Sequence, residues 1–170
     1  MLSATAVLAA DRPNVLWLST EDISPHLHCY GYENAITPAL DALAAEGVRY
    51  TNAYTVAGVC APNRTGIITG MYPSAFGGHH MRCSTTLPDE IKCFPEYLRQ
   101  TGYFCTNNSK TDYNFGADMS KVWDECSGKA HWKNRTGDQP FFAVFNYTNT
   151  HEGSITSTGA SYASKTNRLT

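Results

Sequence analysis

Charge is scarce in this chain. Lys and Arg number 13, Asp and Glu 15, among 170 residues, and the formal net charge is -2. No basic stripe is present to neutralise phosphates, which argues against a nucleic-acid-binding protein. Long apolar runs are missing too: no stretch approaches the roughly 18–20 residues that a membrane span needs. No Cys-x-x-Cys occurs among the six cysteines, so a zinc ribbon is disfavoured. What is present is apolar material, 42% of the chain with 12% aromatic, enough for a packed core. The length fits one domain or part of a larger one.

The opening MLSATAVLAA is small and apolar and runs into Asp11-Arg12-Pro13. Small residues stand where a signal peptidase would cut, although the basic start of a signal is lacking. Residues 1–10 are expected to be a signal-peptide remnant, and the protein to be exported, to a periplasm or beyond. In an oxidising compartment some of Cys29, Cys60, Cys83, Cys93, Cys105 and Cys126 could pair, in a pattern that spacing does not reveal.

Strands and helices alternate along the chain. NVLWLS (14–19) is short, apolar and β-branched or aromatic, and reads as a buried strand. TPALDALAAEG (37–47) reads as a helix, with Thr37 to cap, Pro38 at the first position and Gly47 to stop. VRYTNAY (48–54) reads as the next strand. FPEYLRQTG (94–102) is a second helix, YFCTNN (103–108) a strand, and PFFAVFNYTN (140–149) the most strongly β-patterned run. The 140–149 strand belongs inside a sheet, yet nothing after it reads as a partner, so an uncovered apolar edge is expected there. The fold class is α/β, with a mostly parallel sheet covered by helices on both faces. Ligands of such sheets sit at the carboxyl ends of the strands.

Polar clusters follow these strands. Glu21 and Asp22, after the first, can offer hard oxygens to Ca²⁺ or Mg²⁺, or can simply be a solvated or capping pair. Lys110 is either an anion-binding point charge or a surface lysine. His151 is an acid, base or anion donor, or a structural histidine. Arg64 opens a segment, 64–69, that Gly70 resembles a stop for, and an arginine beside helix-start N–H groups makes an anion site. Cys60 would lie at that site, where a thiolate is favoured.

CAPNRTGIITG (60–70) has the form Cys-x-Pro-x-Arg, four residues, then Thr-Gly. It resembles the signature of the type I, formylglycine-dependent sulfatases. RPNVLWLSTED, CYGYENAITPALDALAAEGVRYTNAY, TGMYPS, TGYFCTNNSKTDYNF and QPFFAVFNYTNTHEG extend the likeness over residues 12–153. The resemblance implies an alkaline-phosphatase-like fold and hydrolysis of sulfate esters. It implies that a formylglycine-generating enzyme oxidises Cys60 to an aldehyde, whose hydrate attacks sulfur and later expels sulfate. It makes Glu21 and Asp22 metal ligands together with the modified Cys60, for Ca²⁺ or else Mg²⁺. Arg64 and Lys110 would hold the hydrate and the sulfate oxygens, and His151 the ester or leaving oxygen. The substrate would be a sulfated small molecule, with sulfated carbohydrate preferred.

Four features depart from the family pattern or bear on it. Glu21 stands where an aspartate is usual, and Asn63 where serine or alanine is. Asp112 stands where many members carry a histidine that contacts the formylglycine; His79 or His80 is a candidate replacement. Later metal ligands of the family, an Asp-Asn pair, and a second lysine are not identifiable, so a truncated chain is expected: residues 11–153 as the N-terminal part of a catalytic domain and 154–170 as a disordered or non-native tail. Such a chain is expected to show little activity. Asn-x-Ser/Thr sequons at Asn63, Asn107, Asn134 and Asn146 read as chance, since glycans at Asn63 or Asn107 would block the site. A phosphate or phosphonate ester hydrolase of the same superfamily and a non-catalytic anion-binding protein are the alternative readings.

Overall fold

A computed structural model describes residues 12–154. The expectations for residues 1–10, and for the tail beyond 154, lie outside the described residues.

Four strands form one parallel sheet. They are β1 (Val15–Thr20), β2 (Phe104–Asn108), β3 (Glu125–Cys126) and β4 (Phe141–Tyr147), in the order β1-β4-β2-β3. Trp17 pairs with Val144, and Thr106 with Ala143. The last strand among the described residues is thus inserted between β1 and β2. This corrects the expected uncovered edge at 140–149: β4 has a partner on each side, and Phe142 and Ala143 are buried. Its continuous apolar run suits that interior place.

The exposed edge is β1 instead. Val15, Leu16, Trp17 and Leu18 are each more than a third exposed, so the strand forms as expected but is not buried among the described residues. The 48–54 strand does not form either. Tyr50 and Tyr54 are exposed there, and among the described residues no strand pairs with the segment. Extended sequence without a partner has no ladder to join. β3 is only two residues long, below the length that alternation can signal.

Helices flank the sheet: α1 (Pro38–Glu46), α2 (Cys60–Thr69), α3 (Phe94–Gln100) and α4 (Met119–Val122). In α1, Pro38 takes the first position as its fixed φ allows, but Thr37 does not cap the backbone; its hydroxyl donates to Asp41 Oδ1 at 3.1 Å. No residue of α1 is buried. In α3, Cys93 and Glu96 form a capping box, and Gly102 follows at φ 92. α3 packs on β2. The core gathers Ile68, Cys93, Cys105, Phe115, Val122, Trp123 and Phe142. Trp123 stacks on Phe142 at 5.9 Å, and Phe94 meets the same ring edge-on at 5.2 Å. Burying a ring of this size contributes about 2–3 kcal/mol. Its strand members, Cys105 and Phe142, are each the second residue of their strand, so the cluster anchors β2 and β4 near their amino-terminal ends.

All six cysteines are free, so the pairing that export would allow is not made. No helix among the described residues is long and apolar enough to cross a membrane.

Candidate active site

The Cys-x-Pro-x-Arg spacing has a geometric reading in α2. The helix begins at Cys60 and not at Arg64. Pro62 is tolerated because N–H groups of a first turn have no partner within the helix. Residues four apart share a helix face, so Cys60 and Arg64 project together. The opposite face buries Ala61, Pro62, Thr65 and Ile68. Gly70 ends the helix at φ 67. Gly66 is required by crowding: a Cβ there would lie 2.6 Å from Val56 Cγ2 and 3.3 Å from the Met71 carbonyl.

The carboxyl ends of β1, β2 and β4 bring the other groups to Cys60. Glu21 and Asp22 follow β1, Lys110 follows β2, and His151 follows β4. Ligand-capable atoms of Glu21, Cys60 and His151 lie within 4.8 Å of one another. Lys110 Nζ bonds Glu21 Oε1 and stands 3.7 Å from Asp112 Oδ2. Asp22, at φ 53, accepts the Glu152 N–H at 2.9 Å, and the Glu21 N–H donates to Thr150 Oγ1 at 2.9 Å. These two bonds tie the turn after β1 to the turn after β4. His151 accepts the Gly153 N–H through Nδ1 at 3.0 Å. A neutral imidazole accepting at Nδ1 carries its proton on Nε2, so that nitrogen is a donor.

Arg64 is half-buried and largely occupied. Its Nε donates to the Thr111 carbonyl at 2.8 Å, and its Nη2 to the Lys110 carbonyl and, at 3.0 Å, to Asn146 Oδ1. The guanidinium fork therefore holds the loop that carries Lys110. Nη1 makes none of these bonds.

Two asparagines complete the frame. Asn146 Nδ2 donates to Asn107 Oδ1 at 2.8 Å and to the Asn108 carbonyl at 3.1 Å, while Asn146 Oδ1 also accepts the Ser19 hydroxyl. Asn107 Nδ2 donates to the Lys110 carbonyl at 3.0 Å. Asn107 is 1% exposed, which leaves a glycan on its amide no room. The strand ends are thus cross-linked by the buried Asn107 and the half-buried Asn146, which helps the polar cluster keep one geometry.

A sulfatase family model matches residues 13–126. The chain belongs to the sulfatase family. It is 48% identical over 164 residues to an ulvan-active sulfatase of Formosa agariphila, an alignment covering 89% of this chain and 27% of that protein. It is 40% identical over 65 residues to an N-acetylgalactosamine-6-O-sulfatase of Bacteroides thetaiotaomicron, covering 38% of this chain and 13% of that one. The chain therefore spans about a quarter of the length of the ulvan-active relative. Its fold matches a solved structure of BT4656 in complex with its substrate D-glucosamine-2-N,6-O-disulfate, at TM-score 0.65 and 22% identity over 85% of this chain and 35% of that one. The parallel sheet flanked by helices is the alkaline-phosphatase-like architecture.

In this sulfatase-family chain Glu21, Asp22, Cys60 and Arg64 border a cleft of about 350 Å³, whose lining includes neither Lys110 nor His151. Glu21, Asp22, Cys60, Arg64, Asn107 and Asn146 line its polar end, and Trp17, Phe94 and Phe142 its apolar floor. The Cys60 thiol is pushed up from its ordinary value, first by burial and then by the influence of the Asp112 carboxylate. The helix-start environment does not make it a thiolate. Burial alone would raise Asp112, but Cys60, Arg82, Lys110 and Arg64 outweigh it and hold that carboxyl below its ordinary value. His79 and His80 are exposed, with ring centroids 4.2 Å apart and planes tilted by 41°. Asn107 and Asn146 escaped sequence reasoning because their only signal was a sequon.

Proposed function

We propose that the whole protein, in the length of its relatives, hydrolyses sulfate esters of a carbohydrate. The observation that carries this reading is the meeting of Glu21, Cys60 and His151 within 4.8 Å, with Lys110 and Arg64 beside them. Family membership suggests the chemistry of that cluster, and the sulfated sugars named for its relatives, with the sulfated glucosamine bound to BT4656, support a sulfated sugar over other esters.

The residues fit a hard cation. Glu21 Oε2 is buried and accepts no hydrogen bond among the described residues, an acceptor that costs about 1–3 kcal/mol unless something fills it. Glu21 and Asp22 would hold the ion, with the side chain at 60 beside them, and Ca²⁺ suits carboxylate oxygens. When bound, the ion supplies Lewis-acid polarisation of a sulfate oxygen. Cys60 is read as the residue that a formylglycine-generating enzyme converts to an aldehyde, whose hydrate supplies a nucleophile able to release sulfate afterwards.

The chain's own groups then divide the work. Lys110 sets one positive charge against the sulfate oxygens, and Arg64 offers Nη1 as a second donor while its other nitrogens keep the Lys110 loop in place. His151, with its proton on Nε2, is read as the donor toward the leaving oxygen. The apolar floor excludes water from one side of the cleft and strengthens these charges. The segment 1–10 supports export of the protein.

The test is expression of the relative-length protein with a formylglycine-generating enzyme, followed by mass analysis of the peptide containing residue 60. The expected result is an aldehyde at 60, turnover of a sulfated sugar, loss of turnover in Cys60→Ala, and retention in Cys126→Ala. A fully active preparation carrying only unmodified Cys60 would overturn the proposal.

A further inference from the structure

A second groove, of about 330 Å³, lies beside α2, between the segment 54–56 and the turn after the helix. Its volume is at the lower end for small-molecule sites. It is continuous with the cleft at position 60, because Thr55, Asn63 and Ile67 line both. Asn63 follows Cys60 by three residues, so the two are neighbours on the helix surface. The walls of the groove are fixed by backbone. Gly66 admits Val56, whose Cγ2 would stand 2.6 Å from a Cβ there, so the 54–56 segment seats directly on α2. Thr55 Oγ1 donates to the Ala57 carbonyl at 2.8 Å and braces the same segment. On the other side Gly70, at φ 67, turns the chain out of the helix, and the Tyr72 carbonyl accepts the Ala75 N–H at 2.9 Å. Two tyrosines stand on these walls, Tyr54 90% exposed and Tyr72 70% exposed. No charged side chain is among the lining residues.

The chemistry of this lining matches a sugar. A sugar ring presents C–H groups on one face, which pack against the electron-rich face of an aromatic ring, and hydroxyls around its edge. Tyrosine offers an apolar face and a polar tip together. Asn63 offers a donor and an acceptor on one amide. It stands where the family pattern has serine or alanine, and its longer side chain borders both cavities. Charge divides the two cavities in the same sense. Glu21, Asp22 and Arg64 line the cleft, whereas the groove offers nothing to a second sulfate. We propose that the groove is a subsite for an unsulfated sugar ring joined to the sulfated one, with Tyr54 and Tyr72 as stacking faces and Asn63 as the polar contact at the junction. This rests on the sulfated-carbohydrate reading given above. It narrows the substrate to an oligosaccharide or polysaccharide, as against a free sulfated monosaccharide.

The experiment compares short and long substrates on the relative-length protein, co-expressed with a formylglycine-generating enzyme. A panel of sulfated monosaccharides is set against tetrasaccharides that end in the same rings and are otherwise unsulfated. The wild type is expected to favour the tetrasaccharide through a lower KM. Tyr54→Ala and Tyr72→Ala are each expected to lower kcat/KM for the tetrasaccharide about tenfold, the scale of one aromatic contact, and to leave the monosaccharide unchanged. Tyr54→Phe keeps the stacking face and is expected to keep the tetrasaccharide preference. Circular dichroism and urea midpoints check each fold, and if one alanine variant is not folded, the other carries the test. Unchanged kcat/KM for the tetrasaccharide in the folded variants, or equal losses on both substrates, would overturn the inference while leaving the sulfatase reading intact. A lowered urea midpoint without selective loss on the tetrasaccharide would show that the rest of the chain fills the groove, and would overturn it too. Absence of turnover across the panel would overturn the sulfated-carbohydrate reading, and the inference with it.

Discussion

Arg64→Lys keeps the charge of the signature arginine and removes its fork. In the structure the guanidinium satisfies the Thr111 carbonyl, the Lys110 carbonyl and Asn146 Oδ1. A lysine ammonium on a flexible stem can reach one of these in place of three. Two bonds from a charged donor are then lost, each worth about 1.5–3 kcal/mol. The lower end applies, because two of the acceptors keep other donors: the Lys110 carbonyl keeps Asn107 Nδ2, and Asn146 Oδ1 keeps the Ser19 hydroxyl. The expected loss is about 2–3 kcal/mol, a factor of roughly 30–150 in the unfolding equilibrium. Urea denaturation followed by tryptophan fluorescence should show the midpoint falling by about 1–1.5 M, for a slope near 2 kcal/mol per M. Limited trypsin digestion adds a local readout, because release of the loop should expose the Lys110–Thr111 bond. A midpoint shift below about 0.3 M, with no faster cleavage after Lys110, would refute the view that Arg64 holds this loop.

Two further outcomes are expected. Burial, with Glu96 near Cys93 and Asp124 near Cys105, pushes both thiols up to about 12 from an ordinary 9.0. Between those values the unfolded chain has released protons that the folded chain keeps, so stability is level below pH 9 and falls as pH rises toward 12, by up to about 1.4 kcal/mol per pH unit for each thiol. Urea midpoints between pH 8 and 11 should decline less steeply in a Cys93→Ala/Cys105→Ala variant; equal slopes would contradict the assignment. For the cation, calorimetric titration of Ca²⁺ should give about tenfold weaker binding in Glu21→Gln, and tighter binding in Lys110→Ala, because Lys110 competes for Glu21 Oε1. Unchanged affinity in both variants would remove Glu21 from the ligand set.

The sequence by itself determined the family and where along the chain the polar clusters lie. Cys60 and Arg64 carry a spacing that a helix turns into one shared face, and local rules place strands before Glu21, Lys110 and His151. Those signals are short-range, so they survive in a string of letters. Tertiary structure alone decided which strand is the edge. β4 is the last strand among the described residues yet interior, because parallel pairing follows register across the sheet and not order along the sequence. The same limit applies to the segment 48–54, whose β pattern finds no partner among the described residues. It applies also to Asn107 and Asn146. Each is an ordinary polar residue in its own neighbourhood. Each acquires its role only when loops separated by tens of residues are brought within hydrogen-bonding distance, and the amides must then find partners there.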